Sequence, residues 1–180
     1  GTLDGGLSPD DVVGELYHVV NIQTGTVQVD FMGIHVEIPN SNHVDCALAR
    51  INDDFNNSNR EIRWIGYPKP TQMGVAAANY PFLVGEWVHK MGRTTGYTVG
   101  RVKSITWDGW INGPAGRFWM EDQIQIDGLG SRPFSNQGDS GSLVTRYSDN
   151  VPVGLLFADN GYTYANPIYL VMANLGIAML

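Results

Sequence analysis

The sequence predicts an all-β protein of two antiparallel six-stranded β-barrels, the first incomplete, with a short C-terminal helix. Three observations carry this. Short apolar or alternating runs recur along the chain, separated by Gly, Asn, Asp and Pro at regular intervals. Helical spacing appears only near the end, where Leu170, Ala173 and Leu175 share a face. The runs also fall into two sets, on either side of a stretch rich in Pro, Ala and Asn at residues 67–81.

In chain order, the first set is residues 12–20, 27–38, 44–51 and 61–66. The second set is residues 85–91, 97–107, 117–126, 142–147, 153–158 and 164–168. Within it, Trp107-Asp108-Gly109-Trp110 reads as a hairpin, with Asp-Gly as a two-residue turn and the tryptophans paired across it. Residues 169–176 close the chain as a helix. Six strands suffice for a small closed barrel, and the second set supplies them. The first set supplies three or four. The expected organisation is therefore an incomplete N-terminal barrel over residues 1–66, a connection over 67–84 and a C-terminal barrel with its helix over 85–180.

The composition narrows the function. With 43% hydrophobic and 16% charged residues, the 180-residue chain is globular and can bury a core. Its 18 acidic residues outnumber its 11 basic ones, giving a net charge of −7 with no basic stretch, so no nucleic-acid partner is expected. No apolar run reaches membrane-spanning length and no signal-peptide pattern opens the chain, so no membrane partner is expected. The single cysteine, Cys46, excludes an internal disulfide and reads as a small buried thiol. Its isolation fits the reducing cytoplasm, although bacterial secreted proteins also lack disulfides. No Cys/His cluster has metal-ligand spacing, and no Gly-rich loop precedes a helix, so no cofactor is expected.

The chemistry concentrates in Gln137-Gly138-Asp139-Ser140-Gly141-Ser142. Glycines on both sides of a serine permit a sharp turn that exposes the hydroxyl and gathers backbone N–H groups around one point. The same residues also make an ordinary β-turn for local reasons. A serine nucleophile needs a base, and the base needs an orienting acid. Asp45 is the candidate acid, since Asp45-Cys46-Ala47-Leu48-Ala49 sets an acid directly before a small apolar strand.

Asp45-Cys46-Ala47-Leu48-Ala49 and Gly138-Asp139-Ser140-Gly141-Ser142 resemble the aspartate and nucleophile motifs of trypsin/chymotrypsin-like serine proteases, in the family's order. Gly92-Arg93-Thr94-Thr95-Gly96, Phe118 with Asp122-Gln123-Ile124, and Pro152-Val153-Gly154-Leu155-Leu156-Phe157-Ala158 resemble a disulfide-free, mostly bacterial branch. The resemblance implies Ser140 as nucleophile, Asp45 as orienting acid, and the N–H groups of Gly138 and Ser140 as the oxyanion hole. It makes Asp139 a brace of the loop. It places Phe134 on the floor of the substrate pocket, with core packing as the equal alternative for that residue, and Phe157, Ala158 and Asp159 along the pocket wall. Phenylalanine there implies small or apolar substrate side chains rather than basic ones. The implied partner is a protein or peptide substrate.

One member of the set is absent. The family carries its histidine in a loop well before the aspartate, whereas His18 and His35 sit in strand patterns, His43 is only two residues from Asp45 and His89 follows it. Residues 1–6 resemble the loop just downstream of the family's histidine. The strand deficit and the missing base agree, and the expectation is that an N-terminal segment carrying the histidine is missing from this sequence. Truncation, natural cleavage, or conversion to a catalytically inactive peptide- or protein-binding module each account for that.

Overall fold

The computed structural model describes residues 14–51, 60–114 and 116–179. Residues 1–6 and the start of the 12–20 run lie outside that range.

The second half forms the predicted barrel. Its strands are β6 (Trp87–Gly92), β7 (Gly96–Gly113), β8 (Gly116–Gly128), β9 (Leu143–Arg146), β10 (Pro152–Asp159) and β11 (Thr163–Pro167). They pair in the order β11-β10-β9-β6-β7-β8, and an antiparallel β11–β8 pairing closes the ring. Alternation fills the interior, with Val88, Val102, Ile124, Ile126, Val144, Leu156 and Ala165 in one buried cluster. The first half builds no such ring among the described residues. There β1 (Gly14–Val19) pairs with β5 (Ala47–Ile51), and β2 (Thr26–Phe31) pairs with β3 (Ile34–Pro39), as two separate two-stranded sheets. The short β4 (Ser41–Asn42) runs parallel to β8 and ties this half to the barrel.

Four expectations change. The 27–38 run is a hairpin, because Met32 and Gly33 both take left-handed backbone (φ 52° and 80°) and reverse the chain. The 61–66 run is a turn with one isolated bridge, Ile62 to Gly66. The 67–81 stretch holds a helix, α1 (Met73–Asn79), followed by a 3₁₀ turn. Its Ala76-Ala77-Ala78 run is strongly helix-forming. Trp107-Asp108-Gly109-Trp110 is not a turn but lies inside β7, and the hairpin reverses at residues 113–116. Gly109 serves a close approach instead, since a Cβ there would strike the Trp107 ring. Trp107 stacks on Tyr164 at 3.9 Å, and Trp110 meets Trp119 edge-on at 5.5 Å.

The closing helix, α2 (Ile168–Leu175), forms as predicted and ends at Gly176, whose left-handed conformation supplies the C-terminal turn. Ile168, Val171 and Met172 pack with Ala76 of α1 and with Val44 and Cys46. That cluster fixes the residues on either side of Asp45.

Candidate active site

Ser140 lies on an exposed turn in the segment between β8 and β9. Gly138, just before it, has φ 98°, a conformation a Cβ would oppose. The turn is pinned twice to β10: Gly141 N donates to Leu156 O at 2.7 Å, and Leu156 N donates to Ser142 O at 3.0 Å. The Ser140 hydroxyl donates to Phe157 O at 3.2 Å. Around it the backbone N–H groups of Asp139, Gly141 and Ser142 are bonded to carbonyls. Those of Gly138 and Ser140 take no partner among the described residues.

Asp139 holds the loop from beneath. It is buried, and its carboxylate accepts from Thr94 N at 2.7 Å, Thr95 N at 3.1 Å, Thr95 Oγ1 at 2.6 Å and Asn136 N at 3.0 Å. Lys90 Nζ completes the shell at 3.1 Å, with both side chains fully enclosed. Burial by itself raises the Asp139 carboxyl, but the bonds from Thr95, Thr94, Asn136 and Lys90 outweigh it and hold it well below the usual carboxylate range. Burial draws the Lys90 ammonium below the ordinary lysine range, against the pull of Asp139. Thr94 Oγ1 also donates to Gln137 O at 2.8 Å. The Gly92–Gly96 turn is thus a clamp on the serine loop.

Asp45 sits half-buried between buried Val44 and Cys46. Asn166 of β11 fixes its backbone, with Asp45 N donating to Asn166 Oδ1 at 3.0 Å and Asn166 Nδ2 donating to Asp45 O at 2.7 Å. The carboxylate itself accepts no hydrogen bond among the described residues. Burial raises its pKa accordingly. Burial and the adjacent Asp45 push the Cys46 thiol up to about 11, as expected of a small enclosed cysteine that stays protonated.

Asp45 and Ser140 line the same two cavities. The larger, about 560 Å3, is bounded by Phe157, Ala158 and Asp159 of β10 and by Trp110–Pro114 at the end of the β7–β8 hairpin. The second, about 380 Å3, is bounded by Val19, Cys46 and Leu155. None of the four histidines lines either one.

The fold has counterparts among solved structures. A glutamic acid specific serine protease matches 98% of this chain and 76% of its own, at 17% identity and TM-score 0.56. Cellulomonas bogoriensis chymotrypsin matches 77% of this chain and 70% of its own, at 18% identity and TM-score 0.51. Thermobifida fusca protease A matches 77% and 69%, at 16% identity and TM-score 0.51. The fold is that of the chymotrypsin-like serine proteases. By sequence, no family model and no curated protein matches the chain.

Within the chymotrypsin-like fold, the structure brings together Asp45, Ser140, Phe157, Ala158 and Asp159 from the residues singled out in the sequence. Phe134 stands apart. It is 2% exposed, packs in the barrel core with Val88 and Val102, and borders a different cavity of about 220 Å3. Lys90 and Asn166 escaped the sequence reading. Each is a polar residue in an otherwise buried strand, and that mismatch was the signal available. The part played by the hairpin end, residues 110–114, has no local signature, because it depends on how far β7 and β8 extend.

Proposed function

We propose that this chain carries the nucleophile and the orienting acid of a serine endopeptidase, and that the general-base imidazole is supplied by polypeptide outside these 180 residues. The observation that carries the reading is an exposed serine and an unpartnered carboxylate, remote in sequence, lining one cleft. A half-buried carboxylate without a donor is costly, and an imidazole N–H is the donor it lacks. The free N–H groups of Gly138 and Ser140 support an oxyanion hole at the same turn. Val19, half-exposed at the cleft, and the exposed Leu16 beside it on β1 support an added strand at this edge.

In this reading Ser140 Oγ adds to the peptide carbonyl carbon while its proton passes to the imidazole. The C–N bond then breaks as that proton moves to the leaving amine. Water, deprotonated by the same imidazole, releases the acyl group and restores the serine. Asp45 orients the ring and offsets its positive charge. Peptide binding along β10 supplies the substrate alignment. One structural neighbour is described as glutamate-specific through a histidine triad. No histidine lines this cleft, so that specificity is not carried over.

A catalytically inactive peptide- or protein-binding module is the second reading, favoured by the same lack of a histidine in the cleft. Fluorophosphonate labelling of the full-length natural protein separates the two. The hydrolase reading expects stoichiometric modification of Ser140 that disappears in Ser140→Ala. No modification under any condition favours the binding module.

A further inference from the structure

Asparagine followed by glycine is among the least durable pairs in a polypeptide, because no side chain on the second residue shields its backbone nitrogen from the asparagine amide. The sequence contains two such pairs, Asn112-Gly113 and Asn160-Gly161. Both asparagines line the cleft that holds Ser140. They reach it from different elements, Asn112 from the end of β7 and Asn160 from the bend between β10 and β11.

The two backbones differ. Asn112 sits within the β7–β8 ladder opposite Arg117, with Gly113 opposite Gly116. The Phe118 ring crowds Gly113, lying 2.8 Å from where a Cβ would stand. Bringing the Gly113 nitrogen round to the Asn112 side chain therefore requires opening the ladder. Asn160 has no such restraint. It and Gly161 are exposed, and Gly161 takes a left-handed backbone (φ 78°) with nothing within 4 Å of its Cβ position. Neither the Gly161 N–H nor the Asn160 side-chain amide makes a hydrogen bond among the described residues. The Asn160 N–H donates to Tyr162 O at 3.0 Å, which leaves both reacting groups unengaged.

We propose that Asn160 is a site of spontaneous deamidation that turns this rim of the cleft acidic, while the β7–β8 ladder preserves Asn112. In the step, the Gly161 nitrogen bonds to the Asn160 amide carbon and loses its proton. The bond from that carbon to Nδ2 breaks, and the amide nitrogen leaves with the proton as ammonia. Water then opens the cyclic imide at either carbonyl, giving aspartate or isoaspartate at 160. The charged residues lining the cleft are Asp45 and Asp159, so the product adds a third carboxylate where no cation offsets it. The isoaspartate form also puts an extra methylene into the main chain, beside the bond that Asn160 N makes to Tyr162 O.

Prolonged incubation of the chain at neutral pH tests it, with peptide mass spectrometry and enzymatic methylation of isoaspartate as the readouts. In the folded chain, conversion at 160 is expected to outpace conversion at 112 by about tenfold or more. In denaturant that ratio is expected to fall, because both pairs are then free. Asn160→Gln should remove the early isoaspartate signal, and Asn112→Gln should leave it. A smaller ratio in the folded chain would overturn the proposal. So would a ratio in denaturant as large as in the folded chain, since local sequence rather than the fold would then set the difference. No readout here depends on catalysis, so the outcome stands apart from the hydrolase reading.

Discussion

The two halves of the molecule treat similar strands in opposite ways. In the second half, alternating apolar residues meet across a closed ring, and Val88 and Ile124 are 0% exposed. In the first half the same alternation faces outward. Leu16 is 69% exposed and Ile34 is 65% exposed. A β-strand's apolar face is stabilised only by what covers it, and a two-stranded ribbon covers little. The contrast shows which half covers its own apolar side chains. It also shows where added polypeptide would gain most by docking, and Val19 places that edge beside Ser140 and Asp45.

The contrast can be broken by mutation. The largest expected effect is Lys90→Met. Removing the ammonium strands the enclosed Asp139 carboxylate, at a cost of about 3–5 kcal/mol in a denaturant titration followed by tryptophan fluorescence. Ile124→Ala in the closed barrel should cost about 2–5 kcal/mol. In the first half, Leu16→Ser and Ile34→Ser should change stability by no more than about 0.5 kcal/mol, as exposed positions do. Equal losses in both halves would contradict the distinction.

Titration sharpens the comparison, because the two site carboxylates move in opposite directions. Asp139 has a depressed folded pKa, so its contribution is present above the ordinary carboxylate range and is lost as pH falls through the folded value. Barrel stability should therefore decline below about pH 4, and the decline should shrink in Asp139→Asn. Asp45 has a raised folded pKa, so its contribution is present at low pH and is lost as pH rises through the folded value. Asp45→Asn should be more stable than the parent at neutral pH and should lose that advantage in acid. A less stable Asp45→Asn at pH 7 would mean that the carboxylate has a donor after all.

The sequence disclosed most where local chemistry and burial coincide. The six barrel strands and the C-terminal helix were legible from periodicity, and the Ser140 turn from its glycines. Residues 107–110 misled because Asp-Gly is a turn signal, yet a strand with bulges uses the same pair when Trp107 crosses over Gly109. The 27–38 hairpin was hidden because Met32 takes positive φ without the Asn or Asp that advertises it. In the site, Asp45 and Asp159 were found through the motifs that carry them. Phe134 was expected in the pocket from chain position alone, and no local feature reports which way a side chain in that loop turns. Lys90 and Asn166 act across 49 and 121 residues of chain, which only the folded molecule brings together.

The proposal turns on an imidazole from outside these 180 residues acting between Ser140 and Asp45, which line the same two cavities. Adding free imidazole while following fluorophosphonate labelling of Ser140 tests it directly. The account expects labelling to accelerate saturably with imidazole and the acceleration to be lost in Asp45→Asn. Labelling indifferent to imidazole, or accelerated equally without the Asp45 carboxylate, would contradict it.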